Sequence, residues 1–221
     1  MTSTHPSGHA VFRSRFSNSG RQWVMKGVQT NKPNLITEIT SLLKLQEGAH
    51  IMTIKGPILT KSRSWICMPL APSNLFSYMS GFGFCANIET TKFFFEQILN
   101  MMDFIHARQI AHLDISPRNI LVYEHENYKN SYQLKLSDFK SCVTGNLRQI
   151  AYPSLTSHSQ VSAPEVVIHF RTKRSSSDIG SGNFFDAVAA DVWSAGMSIH
   201  HVYWTFALHS GWSAGWPQGG N

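Results

Sequence analysis

His112-Leu113-Asp114-Ile115-Ser116-Pro117-Arg118-Asn119-Ile120-Leu121-Val122 is the stretch from which the rest of the chain is read. An acid, a Pro-containing turn and an amide lie within a few residues, with apolar runs on both sides. This composition predicts a fixed loop beside a buried strand, carrying two oxygen-bearing side chains, Asp114 and Asn119. Such a loop suits an acceptor for a hydroxyl proton and a ligand for a hard divalent cation.

Downstream, Ile120-Leu121-Val122 reads as a strand, and Glu124 to Ser131 as a solvent-exposed turn. Leu134-Lys135-Leu136 alternates and is expected to pair back on residues 120–122 as a hairpin. That hairpin delivers a second carboxylate in Ser137-Asp138-Phe139. Upstream, residues from about Ile88 to His106 carry the longest amphipathic pattern. Phe94, Phe95, Ile98, Leu99, Met102 and Ile105 recur at helical spacing and are expected to form core.

Nearer the start, His9-Ala10-Val11-Phe12-Arg13 and Trp23-Val24-Met25-Lys26 alternate around the turn-like Ser17-Asn18-Ser19-Gly20, which predicts strand, turn, strand. Pro33 opens a helix through residue 46, in which Leu35, Glu38, Leu42 and Leu45 fall on one face. Glu38 thus lies within an inward stripe, where a carboxylate needs a cation to offset several kcal/mol of desolvation. Lys26, on the preceding strand, is the expected partner. Ile51-Met52-Thr53-Ile54 and Trp65-Ile66-Cys67-Met68 read as further strands, the second stopped by Pro69-Leu70-Ala71-Pro72. Asn74 to Met79 reads as a short helix. From Val192 to Leu208 apolar and aromatic residues occur all round, as an enclosed helix requires.

In this order the motifs resemble those of eukaryotic protein kinases: Lys26, Glu38, His112-Leu113-Asp114 with Asn119, Asp138-Phe139, Ala163-Pro164-Glu165 and Asp191-Val192-Trp193-Ser194. The resemblance covers about residues 9–208. It implies an α+β, bilobal fold: a small β-rich N-lobe over residues 1–68, a hinge at 69–72 and a mainly helical, short C-lobe over 73–208. Residues 209–221 are expected to be a disordered tail. It further implies ATP and Mg²⁺ as cofactors, and transfer of the γ-phosphoryl group to Ser/Thr or Tyr hydroxyls of proteins. Catalytic roles fall to Asp114, Arg118 and Lys26. Lys26, Glu38, Met68, Leu70, Leu121, Asn119 and Asp138 are the nucleotide-binding set, with Leu70 or Ala71 offering an N–H to adenine. Asn119 and Asp138 are the metal ligands. Asp191 is expected to cap N–H groups of the catalytic loop.

The chain departs from that pattern in four ways. Thr4, Pro6 and His9 stand where the family has phosphate-loop glycines, and Gly8 is off by one. Lys140 replaces the glycine after Asp138-Phe139, which leaves two readings: a phosphate contact or a solvent-pointing lysine. Leu113 replaces the arginine before the catalytic aspartate, and Ser116 stands in the place of a lysine. Arg118 then becomes the candidate transition-state cation. Finally, the sequence ends about one helix after Asp191, so Glu165 has no identifiable arginine partner. A truncated product or a fold completed by a partner accounts for this equally. The alternative to an enzyme is therefore a pseudokinase that acts as a protein-binding scaffold.

The bulk composition agrees with a folded phosphate-binding protein. Charged residues make up 14% of the 221, apolar residues 42%, and formal net charge is +6. A mild basic excess steers phosphate-bearing ligands or acidic partners. No dense basic face with interleaved aromatics argues for nucleic acid. Cys67, Cys85 and Cys142 are odd in number at unrelated spacings, which fits reduced thiols in an intracellular protein, cytoplasmic or nuclear. There is no secretion-signal pattern at the N-terminus and no run long enough to span a membrane.

Overall fold

A computed structural model describes residues 2–4, 10–15, 22–29, 33–80, 88–124, 132–151, 160–172 and 184–209. The chain opens with strands β1 (Thr2–Thr4), β2 (Ala10–Arg15) and β3 (Gln22–Gln29), followed by helix α1 (Pro33–Lys44). Strands β4 (Gly56–Ile58) and β5 (Arg63–Pro69) complete an antiparallel sheet of order β1-β2-β3-β5-β4. Lys26 lies at its centre, opposite Val11 on one side and Ile66 on the other. Helix α1 buries Leu35, Ile39 and Leu42, and Glu38 shares that face at 2% exposure. Ile36 and Leu43, on the far side, are exposed.

The larger, helical half begins at β6 (Ser73–Asn74) and α2 (Leu75–Ser80), where the Asn74 side chain accepts from the Ser77 N–H as an N-cap. Helix α3 (Ile88–His106) runs through its core, and β7 (Ile110–Ala111) follows. Strands β8 (Ile120–Glu124) and β9 (Tyr132–Leu136) form the expected hairpin, in register Ile120↔Leu136 and Val122↔Leu134. A 3₁₀ turn (Phe139–Ser141) leads to β10 (Val143–Thr144), which pairs with β7, and to β11 (Ile150–Ala151). Helix α4 (Pro164–Thr172), strand β12 (Phe184–Phe185), paired with β11, and helix α5 (Ala187–His209) close the described chain. The architecture is α+β, with a sheet-rich small half and a helical large half.

Two apolar clusters hold these elements. The first joins α1, α3 and the β8–β9 hairpin through residues such as Leu42, Phe94, Ile98, Ile105 and Leu136. Each such side chain contributes about 1.5–3 kcal/mol by leaving water. The second packs Leu113 with Val143, Leu147, Ile150, Val166 and Phe185, beneath the loop that carries Asp114.

Several sequence expectations are corrected. Ile51–Ile54 is not a strand: Ile51 makes one isolated bridge to Leu136, and the edge strand is Gly56–Ile58 instead. Residues 51, 52 and 54 are buried all the same, so their apolar pattern reflects packing rather than pairing. Strand β5 runs through Pro69, which is tolerated because β4 no longer pairs there and Trp23 lies opposite on the other side. On α3, Phe95 and Leu99 are exposed and Met101 is buried, so the inward stripe is narrower than expected. Helix α5 begins at Ala187, and Val192, Trp193 and Met197 are exposed, so it is not enclosed all round. The strand Thr2–Thr4 was not foreseen. Positions Pro6, Gly8 and His9, most of the 124–131 turn and the tail beyond 209 lie outside the described residues. No helix among the described residues is long and apolar enough to cross a membrane.

Candidate active site

The loop at 112–119 is held from below by one buried carboxylate. Asp191 accepts from the His112 N–H (2.8 Å) at one oxygen and from the Leu113 N–H (2.8 Å) at the other. His106 Nε2 also lies 2.9 Å from Asp191 Oδ2. Asp191 is 0% exposed, so these partners replace water for a charge that is otherwise costly to bury. It does so from within α5 rather than as its N-cap. Leu113, at φ 59°, has the left-handed backbone that L-residues rarely adopt, and the paired N–H and apolar cluster hold it there.

His112 ties this loop to the next one. The Asp114 N–H donates to His112 Nδ1 (3.2 Å), so Nε2 carries the hydrogen and donates to the Ser137 carbonyl (3.0 Å). Ser137 in turn donates its N–H and its hydroxyl to the Asn119 carbonyl, each at 2.9 Å. Asn119 Nδ2 donates back to the Asp114 carbonyl at 2.8 Å. Asp114 and Asp138 are thereby fixed relative to each other by backbone bonds, independently of any charge between them.

Asp138 itself has φ 63° and precedes the 3₁₀ turn. Phe139 is 0% exposed and meets the His112 ring edge-on at 4.7 Å, which anchors that turn. The Asp138 carboxylate then meets two ammonium groups. Lys26 Nζ lies 2.6 Å from Oδ1 and 2.7 Å from Glu38 Oε1. Lys140 Nζ lies 2.7 Å from Oδ2 and 2.9 Å from Asp114 Oδ2. The chain thus runs Glu38, Lys26, Asp138, Lys140, Asp114, with charges alternating in sign.

The proton affinities follow from that chain. Burial acts to lower the Lys26 pKa, but the Asp138 and Glu38 carboxylates outweigh it and hold it above the ordinary lysine value. Burial pushes the Glu38 carboxyl up, with Lys26 opposing. For Asp138 burial acts upward, yet Lys26 and Lys140 together hold it well below the usual carboxylate range. For Lys140 burial acts downward, and Asp138 and Asp114 more than reverse it.

Beside this chain lies a cleft of about 620 Å³ between the sheet and the helical half. Val24, Met52, Met68 and Leu121 give it apolar walls; Lys26, Glu38, Asp138 and Lys140 line its polar end. Ser73, Asn74 and Ser77 add a polar rim, of which Asn74 and Ser77 are read from sequence only as part of a short helix; the signal for the rim is the polar pair directly after Pro72.

Of the predicted site residues, Lys26, Glu38, Met68, Leu70, Leu121 and Asp138 all line the cleft. Asp114 is joined to it through Lys140. Three expectations change. The Leu70 N–H donates to the Gln22 carbonyl (2.9 Å) as the sheet ends, so of Leu70 and Ala71 it is Ala71 whose N–H makes no hydrogen bond among the described residues. Arg118 stacks its guanidinium over the Phe76 ring, 4.1 Å from the centroid, and does not line the cleft. Lys140 is not solvent-pointing: it is the cation at Asp114.

A divalent cation does not fit beside Asp138 while Lys140 keeps this position. Both carboxylate oxygens already accept from ammonium groups. A cation at roughly 2.1 Å from either oxygen meets a like charge at close range.

The protein kinase domain profile matches residues 8–211, and the chain belongs to the protein kinase family. It is 29% identical over 170 residues to CBL-interacting serine/threonine-protein kinase 7 of Arabidopsis thaliana, covering 76% of this chain and 35% of that protein. It is 26% identical over 199 residues to CBL-interacting protein kinase 11 of Oryza sativa subsp. japonica, covering 86% of this chain and 36% of that protein. The carbon catabolite-derepressing protein kinase of Saccharomyces cerevisiae is 26% identical over 163 residues, 72% of this chain and 22% of that protein. The chain therefore spans little more than a third of the length of these relatives, or less.

Proposed function

We propose that the chain binds ATP in the cleft between sheet and helical half, and that its site is laid out to pass the γ-phosphoryl group to a hydroxyl of a protein. The observation that carries this reading is the position of Lys26 Nζ, 2.7 Å from Glu38 and 2.6 Å from Asp138. One ammonium from the sheet meets carboxylates from α1 and from the loop after β9, so both halves converge on a single point at the polar end of the cleft. An ammonium held this way is preorganised for phosphate oxygens.

In this reading adenine lies between Val24 and Leu121, with Met68 beside it and the Ala71 N–H as donor. Lys26 holds the α- and β-phosphates, and Glu38 steadies Lys26. The hydroxyl oxygen attacks the γ-phosphorus, the bond to the β–γ bridging oxygen breaks, and ADP leaves. Asp114 takes the hydroxyl proton through Oδ1, since Oδ2 accepts from Lys140. Serine, threonine and tyrosine hydroxyls all meet this requirement. The reading places the protein inside a cell, where Cys67 and Cys142, both free and buried, stay reduced.

One observation favours a second reading. Lys140 engages Asp114 and Asp138 together. A protein with both carboxylates held this way fits a pseudokinase that acts through its surface as a protein-binding scaffold, with little or no catalysis.

Two measurements test these readings. Thermal-shift titration with ATP is expected to raise the unfolding midpoint of the wild type, and not of Lys26→Ala. The absence of any shift ends the enzyme reading and leaves a scaffold that holds no nucleotide. Transfer of labelled γ-phosphate to a mixed protein substrate, above an Asp138→Asn control, supports the enzyme. A shift without transfer supports the scaffold.

A further inference from the structure

We propose that Lys140 is a built-in cation that takes over charge work ordinarily left to a divalent metal, so that this cleft binds nucleotide phosphates without one. The proposal rests on the nucleotide reading above and specifies how that nucleotide is held.

Lys140 is placed for this role by its backbone. The 3₁₀ turn that carries it is pinned by fully buried Phe139 on one side and buried Ser141 on the other. The next residue, Cys142, donates its thiol hydrogen to Ser41 of α1 at 3.2 Å. The root of the side chain is therefore fixed between α1 and the catalytic loop, and its four-carbon stem points the ammonium into the cleft. There it bridges Asp138 Oδ2 at 2.7 Å and Asp114 Oδ2 at 2.9 Å. Two carboxylates from different loops converging on one cation is the arrangement expected of a metal, and a side chain fills it here.

Charge leads to the same conclusion. Glu38, Asp114 and Asp138 bring three negative charges to the polar end of the cleft, and with Lys26 alone a polyphosphate meets a strongly repulsive site. Lys140 reduces that excess to one negative charge. Lys26 and Lys140 are the two basic residues lining the cleft among the described residues; Arg118 is turned onto Phe76. The Lys140 side chain is 31% exposed, against 13% for Lys26. Its ammonium thus keeps a third N–H on its open side for phosphate oxygens while it stays on the carboxylate pair, whereas Lys26 is enclosed.

The test is ATP binding by isothermal titration calorimetry on the full chain, in EDTA and in Mg²⁺. Wild type is expected to bind with dissociation constants within about threefold of each other in the two conditions. Lys140→Met, which keeps the stem and removes the charge, is expected to weaken binding in EDTA by roughly tenfold or more, the scale of one charge-assisted hydrogen bond. Lys140→Arg retains most of the EDTA affinity. Lys140→Gly, which also removes the stem, gains dependence on Mg²⁺. Unfolding midpoints without nucleotide establish that each variant is folded, and the wild-type comparison stands even where a variant is not. Binding of ATP by wild type only in Mg²⁺ overturns the proposal and leaves the nucleotide reading intact. So does an unchanged EDTA affinity in Lys140→Met. No binding in either condition overturns both.

Discussion

The roof and the floor of the cleft each present a lysine to the same aspartate, but the two are built differently. In the roof, Lys26 is 13% exposed and its second partner, Glu38, only 2%. In the floor, Lys140 is 31% exposed and its second partner, Asp114, 11%. Lys26 comes from a central strand with neighbours hydrogen-bonded on both sides, whereas Lys140 comes from a three-residue turn. The roof pair is therefore part of the packing, and removing one member leaves a charge with no access to water. The floor pair is a contact laid over a loop that is already held by Asp191, His112 and Ser137. One cation is thus structural and the other adjustable, although both lie within 2.7 Å of the Asp138 carboxylate.

The strongest way to break this contrast is to remove what holds the floor. Asp191→Ala leaves the His112 and Leu113 N–H groups buried without acceptors, and Leu113 loses the bond that keeps it at positive φ. Unsatisfied buried donors cost about 1–3 kcal/mol each, so the expected loss is roughly 3–5 kcal/mol, read from chemical denaturation. A loss below about 1 kcal/mol would show that backbone bonds between the loops suffice without Asp191.

Next in size is the roof. Lys26→Met leaves Glu38 buried with its charge unmatched, and the expected cost is about 3 kcal/mol. Because burial already pushes the Glu38 carboxyl up, part of that cost is relieved by protonation, and the variant is expected to gain stability as the pH is lowered towards 5. The double variant Lys26→Met, Glu38→Leu is expected to recover most of the stability while still failing to respond to ATP. Apolar replacement of a buried pair is often neutral or better. Failure of the double variant to recover would mean that the pair's geometry, rather than its charge balance, holds α1 against the sheet.

Roof and floor were unequally legible in the sequence, for a physical reason. Lys26 and Glu38 lie on regular elements, where periods of two and 3.6 give the direction of each side chain, so a carboxylate within the apolar face of α1 pointed to a cation on the adjacent strand. The hairpin of β8 and β9 was legible on the same ground, and with it the arrival of Asp138 near Asp114. The family match over 8–211 agrees with motifs read across about 9–208. The direction of Lys140 was not legible, because it depends on Asp138 sitting at φ 63° and on the 3₁₀ turn that follows, neither of which has a periodic signal. The choice between the Leu70 and Ala71 N–H groups was not legible, because Gln22 takes the Leu70 N–H only if β5 continues through Pro69. The direction of Arg118 was not legible either, because the turn aims it at Phe76, a contact between residues far apart in sequence. Ile51–Ile54 shows the converse error, since a short apolar run is buried by packing without joining a sheet.

The smallest expected effect is also the one that defines the floor lysine. Lys140→Met is expected to change stability by less than about 1 kcal/mol at neutral pH, because a pair this exposed is screened by water and salt. Its sign is nevertheless fixed. Burial acts to lower the Lys140 pKa, but Asp138 and Asp114 raise it above the unfolded value of 10.5, so the folded state binds that proton more tightly. The stabilisation is fully present below 10.5 and is lost as the pH rises through the folded-state value. Urea midpoints of wild type and Lys140→Met should therefore differ at pH 8 and converge as the pH is taken above 10.5. A gap that stays constant across that range would mean that the Lys140 stem, packed against the turn, stabilises the fold and that its charge does not. The floor would then resemble the roof in being held by packing, and the adjustable cation would lose its physical basis.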